Sequence, residues 1–156
     1  MEITDKRRIN VRGIIWREGK LLAVKHKDEN GNQGRYWVIP GGGLDPHESL
    51  TDGVARELHE ELGVKASVGK LLFVQQFRSK RRNYEEELEL FFHITNYKAF
   101  EYIELTKTSH GLDEIARVEF IDPSKEAILP EFIGKLTLSD YITGNNPPYI
   151  YTELGK

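Results

Sequence analysis

Residues 42–64 read GGLDPHESLTDGVARELHEELGV. Within them Gly42, Glu48, Arg56, Glu57, Glu60, Glu61 and Gly63 stand at the intervals G-x5-E-x7-R-E-U-x-E-E-x-G-U, with aliphatic Leu58 and Val64 in the two places marked U. If each fixed residue matched by chance about 7% of the time, the whole spacing would turn up in such a chain on the order of once in a million. The stretch also carries the marks of a helix. Asp45 suits an N-cap, Pro46 the first helical position, and Glu48 stands three residues after Asp45, where it closes a capping box. The spacing therefore predicts a helix from about Pro46. Leu50, Val54, Leu58 and Leu62 recur every fourth residue as a stripe for packing on a core, and Gly63 suits a left-handed turn that ends the helix.

On such a helix Glu57, Glu60 and Glu61 are three and four residues apart, so their carboxylates share one face and converge. Each like-charged pair costs a few tenths of a kcal/mol, roughly, unless a cation neutralises it. Hard divalent ions such as Mg²⁺ or Mn²⁺ take oxygen ligands and keep waters that a phosphate can displace. Arg56 is placed to orient Glu57 through a charge-assisted contact. A solvated acidic face is the plain alternative, but it does not account for the glycines at the start of the pattern. The run before the helix, Tyr36-Trp37-Val38-Ile39-Pro40-Gly41-Gly42-Gly43, reads as a short strand entering a glycine turn. Main chain there can approach a ligand closely and contact a metal or phosphates.

The 42–64 pattern resembles the signature of the Nudix hydrolases, with no position departing from it. The resemblance covers 23 of the 156 residues. It implies an α/β fold, an α/β/α sandwich around a mixed β-sheet, and a metal-dependent pyrophosphohydrolase. Its expected substrate is a nucleoside diphosphate linked to another moiety, attacked by water at a phosphorus of the diphosphate bridge. By resemblance Glu57, Glu60 and Glu61 bind Mg²⁺ or Mn²⁺, helped by the main chain near Gly42. Glu57, Glu60 and Arg56 form the catalytic group, with the base at either Glu57 or Glu60, and Glu48 and Arg56 support the acids. A nucleoside triphosphate or RNA 5′-end pyrophosphohydrolase is the alternative among enzymes. A nucleotide sensor is the alternative among binding proteins, and the full set of box acids argues against it.

Composition agrees with one catalytic unit over residues 1–156. A chain of this length buries about two-thirds of its unfolded surface in a single core, and no linker, repeat or low-complexity stretch divides it. The net charge of −3 lacks the basic excess of a general nucleic-acid binder and is uninformative about substrate; a small nucleotide partner is what the resemblance implies. The absence of cysteine excludes disulfides, zinc thiolate sites and thiol nucleophiles. No apolar run has the length of a membrane span, and MEITDKRRIN at the start lacks a leader's hydrophobic segment, so a cytoplasmic location is expected. Nothing in the pattern fixes an oligomeric state.

Outside the motif, strands are expected at Asn10 to Trp16 and Lys20 to Lys25, joined by Arg17-Glu18-Gly19, with a polar loop from Asp28 to Gly34. Further strands are expected at Leu71 to Phe77, Leu88 to Thr95 and Ile115 to Ile121. Glu85, Glu87 and Glu89 alternate with Leu88, Leu90 and Phe92, which predicts one wet and one buried face. Pro130 to Ile142 reads as a second helix ending at Gly144. Arg78, Lys80, Arg81 and Arg82 form a basic cluster between two strands. Arg78 and Arg81 are candidate substrate contacts, although a solvated hairpin tip is the favoured reading. Glu114, near His110 and Asp113, is a candidate acid from outside the box, with loop capping as its plainer role. His26, His47, His59 and His93 lack metal-ligand spacing, and His47 and His59 read as exposed. Tyr36, Phe73 and Phe77 read first as core.

Overall fold

The computed structural model describes residues 6–155; residues 1–5, part of the stretch examined for a leader, and residue 156 lie outside it. The first of the described elements is β1 (Arg7–Ile14); the chain crosses at Ile15 and continues as β2 (Trp16–Arg17) and β3 (Lys20–His26). The run expected as one strand is thus two. The break lies where the chain passes from one sheet to the other, and the Ile15 carbonyl accepts from the Leu22 N–H at 2.9 Å. Glu18 and Gly19 both have positive φ, 47° and 84°, the two-residue hairpin geometry that matches strand twist. Next come β4 (Trp37–Val38), β5 (Gly41–Gly43) and helix α1 (Leu50–Leu62). After the helix lie β6 (Val68–Arg78), β7 (Glu86–Ile94), the short α2 (Gly111–Glu114) and β8 (Ile115–Ile121), the last with the expected bounds. The chain closes with β9 (Ile128–Leu129), α3 (Leu138–Ile142) and β10 (Tyr149–Thr152).

The mixed sheet is in fact two mixed sheets. One has the order β10-β6-β7-β1-β5; the other runs β2-β3-β4-β9, with β8 also paired to β3. β1 runs parallel to β7 and antiparallel to β5, whose glycines pair Gly41 with Arg12, Gly42 with Val11 and Gly43 with Asn10. Side chains alternate along β3, so Leu21 and Ala23 enter one core cluster while Leu22 and Val24 enter another. The first cluster includes Phe73, Phe91 and Phe132, with Phe73 and Phe132 edge to face at 5.8 Å. The second is roofed by Val54, Leu58 and Leu62 of α1. Both faces of the strands are therefore covered, one by α1 and the other by the C-terminal segments, in keeping with an α/β class.

Helix α1 starts later than its cap signals predict. Ser49, not Asp45, is the N-cap, and its side chain accepts from the Asp52 N–H at 3.1 Å. His47 stands at φ 63°, a left-handed conformation that no helix accommodates, so Asp45–Glu48 forms a separate turn. In it the Asp45 N–H donates to Glu48 Oε1 at 3.1 Å. Leu50 is consequently exposed, while Val54, Leu58 and Leu62 are buried. Gly63 ends the helix at φ 73°, as expected.

Three further expectations change. The 130–142 helix is instead a 3₁₀ turn at Glu131–Gly134 followed by α3. Gly134 and Thr137 are weak helix formers, and burial of Phe132 and Ile133 in the core fixes the turn. The face of β7 expected to be wet is not: Glu87 and Glu89 are 5% and 4% exposed. Tyr36 is exposed beside Arg35 rather than in the core, whereas Phe73 is fully buried. His47 and His59 are exposed, as their positions suggested.

Candidate active site

The glycine segment is an edge strand rather than a free turn, and α1 packs against it and β1. A Cβ on Gly42 would lie 2.5 Å from Glu57 Oε2, so only a residue without one lets this carboxylate rest on the main chain. Gly41 has φ 147°, and a Cβ there would strike the Val11 carbonyl. Its N–H donates to Glu61 Oε2 at 3.2 Å. Glu61 is 4% exposed. Burial pushes its carboxyl up to about 8, against the opposing pull of Arg12 and the Gly41 N–H. Burial also raises Glu57, with Arg56 acting the other way. Both acids thus sit where additional positive charge would be favourable.

Arg56 supplies positive charge beside Glu57 and Glu60. Its Nη1 donates to Glu57 Oε1 at 2.9 Å and to Glu60 Oε2 at 3.2 Å. Its Nε and Nη2 donate to the two oxygens of Glu48 at 2.7 and 2.9 Å, and Nη2 also reaches the Gly43 carbonyl at 3.0 Å. The guanidinium fork thus ties Glu48 and the glycine strand to two of the helix acids. Hydrogen bonding from Arg56 is the main reason the Glu48 carboxyl lies below its ordinary range. The expected convergence of three carboxylates takes a different form. Glu57 and Glu60 turn to Arg56 and Glu61 turns to Gly41. Among the described residues no three acidic or histidine side chains are arranged to enclose a metal ion. The donor chemistry nevertheless suits a hard divalent cation: three carboxylates on adjacent turns, two held above their ordinary pKa by burial, beside a glycine main chain.

Residues from outside the box reach the same place. His110 donates its backbone N–H to the Glu60 carbonyl at 3.0 Å, and its Nδ1 lies 3.7 Å from Glu60 Oε2 and 3.1 Å from Ser109 Oγ. Glu114, at the end of α2, is exposed, and its charge contributes to raising both Glu57 and Glu61. Its charge is thus felt at the box acids, while its backbone carbonyl accepts from the Lys27 N–H at 2.9 Å. On β1 and β7 a buried polar network adjoins the box. Asn10 Nδ2 donates to Glu87 Oε1 at 2.9 Å, Gln75 and Arg12 both donate to Glu89, and Arg12 Nη1 donates to the Ile39 carbonyl at 3.0 Å. Arg81 Nε donates to Glu87 Oε1 at 3.3 Å, and Ser79 Oγ to Glu87 Oε2 at 3.0 Å. Burial alone would raise the Glu87 carboxyl, but Asn10, Ser79 and Arg81 together hold it below its ordinary value. Of the basic cluster, Arg78, Lys80 and Arg82 are exposed, as a hairpin tip should be, while Arg81 is committed to Glu87. Sequence reasoning did not single out Arg12, Asn10, Gln75 and Arg8. The available signal was polar residues at every second position of β1, sharing a face with Ile14.

A family model described as the NUDIX domain matches residues 6–136. The CTP pyrophosphohydrolase of Escherichia coli (strain K12) is 38% identical over 66 residues, which are 42% of this chain and 48% of that protein. Diphosphoinositol polyphosphate phosphohydrolase 3-alpha of Mus musculus is 44% identical over 50 residues, 31% of this chain and 30% of that protein. The aligned stretches thus span about half or less of these relatives. Among solved structures, the MutT NUDIX hydrolase from Burkholderia pseudomallei superposes with a TM-score of 0.64 at 21% identity, over 83% of this chain and 96% of that one. Hydrolases of this kind generally use divalent metal cations. Among the described residues no helix is long and apolar enough to cross a membrane.

Proposed function

The chain belongs to the NUDIX family, and from that premise we propose that it is a divalent-cation-dependent pyrophosphohydrolase of nucleoside diphosphates linked to another moiety, residues 1–156 acting as one domain. The observation that carries this reading is the box folded onto its own glycine strand. Glu57 presses on Gly42 and Glu61 is bound by the Gly41 N–H, next to Glu60 and a fourth acid, Glu114. Glu57, Glu60 and Glu61, with main chain at Gly42, would hold Mg²⁺ or Mn²⁺. When bound, such a cation neutralises phosphate oxygens, polarises phosphorus and lowers the pKa of an attacking water.

The chain's own residues do the remaining work. Arg56 fixes Glu57 and Glu60 relative to Gly43 and Glu48, so it is a positioning residue rather than one that touches the reacting atoms. Glu57 and Glu60 are the candidates for proton acceptor. Glu114, exposed and in the field of the box acids, is a substrate-facing acid from outside the motif. Arg78 is a solvated residue in this reading, and Arg81 acts by holding Glu87.

The test is a product-identified screen of nucleotide sugars, ADP-ribose, dinucleoside polyphosphates and nucleoside triphosphates, with Mg²⁺, with Mn²⁺ and with EDTA. Cleavage of a diphosphate-linked nucleoside to a nucleoside monophosphate, abolished by EDTA, is expected. Release of pyrophosphate from triphosphates alone would favour the other enzymatic reading, for which the similarity to a CTP pyrophosphohydrolase is the support. Binding of these nucleotides without turnover of any would favour a sensor.

A further inference from the structure

A groove of about 590 Å³ opens beside the box, within the range of small-molecule sites. One wall is the glycine strand and helix start, with Gly43, Glu48 and Glu57; the other is Arg8 of β1 and Tyr84 of the β6–β7 hairpin. Arg8 Nε donates to Asn10 Oδ1 at 2.6 Å, which leaves the Nη end of the fork lying along the glycine strand. Nη2 would be 2.9 Å from a Cβ on Gly43. Among the described residues no hydrogen bond is made by Nη1 or Nη2. The same guanidinium lies 5.8 Å from the centre of the Tyr84 ring, and Tyr84 is 36% exposed. One end of the groove is therefore acidic, where the proposed cation sits at Glu57. The other end offers a two-pronged cation backed by an aromatic ring.

A ligand complementary to both ends has an anionic chain and a planar ring. The geometry points to a substrate subsite made by Arg8 and Tyr84. Arg8 takes an oxygen pair on the phosphate that is not attacked, and Tyr84 packs against the planar base of a nucleoside. This assignment rests on the pyrophosphohydrolase reading and narrows it to nucleotides. A diphosphorylated polyol would use Arg8 but would have no ring for Tyr84. Bidentate guanidinium–phosphate contacts are the strong form of charge-assisted hydrogen bond, and aromatic–base packing is tolerant of base identity.

Binding in Mg²⁺ buffer tests it, with inorganic pyrophosphate and the non-hydrolysable α,β-methylene analogue of ADP as probes, followed by calorimetry and with melting temperature as the check on folding. Arg8→Ala should weaken both probes about tenfold or more. Arg8→Lys, which keeps charge and loses the fork, should recover part of that loss and serves if Arg8→Ala fails to fold. Tyr84→Ala, at an exposed hairpin position, should weaken the nucleotide analogue about tenfold and leave pyrophosphate within about twofold. Tyr84→Phe should bind both as the wild type does. Unchanged affinity of the analogue in Tyr84→Ala, or an equal loss for both probes, overturns the subsite. The analogue cannot be cleaved at its methylene bridge, and a phosphate-release assay checks that the pyrophosphate stays intact, so the result stands apart from the reaction. Tyr84-dependent binding in a protein that cleaves no diphosphate-linked nucleoside keeps the subsite and removes the proposed activity. Cleavage with unaltered binding in both variants does the reverse.

Discussion

Glu61 is buried at 4% exposure, with its carboxyl pushed up to about 8 by loss of solvent. In the unfolded chain the same group titrates near its ordinary value of 4.5. The folded protein therefore holds a proton that the unfolded chain has released, and without metal its stability falls as pH rises from about 5 to about 8 and levels off beyond. Glu61→Gln, which keeps the shape and never ionises, should lack this fall. In EDTA the variant's advantage in melting temperature should grow across that window, by an amount on the order of a few kcal/mol in stability. A difference that stays flat from pH 5 to 8 would mean that Glu61 is already ionised in the folded protein. Arg56 makes the opposite case. It satisfies Glu48, Glu57 and Glu60 at once, so Arg56→Ala should cost roughly 2–4 kcal/mol in EDTA. Divalent cation should recover part of the loss by taking over Glu57 and Glu60, and equal losses with and without metal would separate Arg56 from the cation site.

At the level of elements, the meeting of β5 with α1 separates two glycines that look alike in sequence. A Cβ on Gly42 would meet the end of the Glu57 side chain, which can move. One on Gly41 would meet backbone at a φ that L-residues avoid. Gly42→Ala should therefore fold with a near wild-type melting temperature and lose about a hundredfold or more in kcat by displacing Glu57, the proposed catalytic acid. Gly41→Ala should lose about 3 kcal/mol or more of stability. Similar melting temperatures for the two would contradict the strand geometry. Ser49→Ala should cost about 1 kcal/mol through the lost cap, while Asp45→Ala should not. How far the elements could be read from sequence follows from how local their causes are. The Gly63 cap, the hairpin at Glu18-Gly19 and β8 depend on neighbours in sequence and were legible. The α1 start was misread because Asp45, Pro46 and Glu48 satisfy every cap rule, yet His47 takes a left-handed conformation where the chain leaves β5 for α1. The β7 face was misread because the groups that bury Glu87 and Glu89, namely Asn10, Arg12 and Gln75, come from other strands.

Across the whole molecule the same distinction decides what the sequence said about the site. The box acids are contiguous and readable as a set, and Glu114 is legible only as a candidate, whereas Arg8 comes beside them only once β1 pairs with β5. The second sheet was hidden for a similar reason, since β2, β4 and β9 are two residues long and too short to show a period. In the folded chain Glu57 and Glu60 share Arg56, and the charges of Arg12, Glu57 and Glu114 all act on buried Glu61. An acid cluster only partly neutralised by its own protein makes the folded state a better ligand for a divalent cation than the unfolded chain. Mg²⁺ or Mn²⁺ should therefore stabilise by linkage, about 2.7 kcal/mol at a concentration a hundred times the dissociation constant. For a chain of this size that is roughly 5–10 °C in melting temperature. EDTA should reverse the shift, and Glu57→Gln combined with Glu61→Gln should abolish most of it while leaving the metal-free melting temperature unchanged or higher. The double variant removes two carboxylates that burial disfavours when charged, so a loss of metal response with a gain in metal-free stability is the signature of a cation site. A shift that persists undiminished in the double variant would place metal binding elsewhere on the protein.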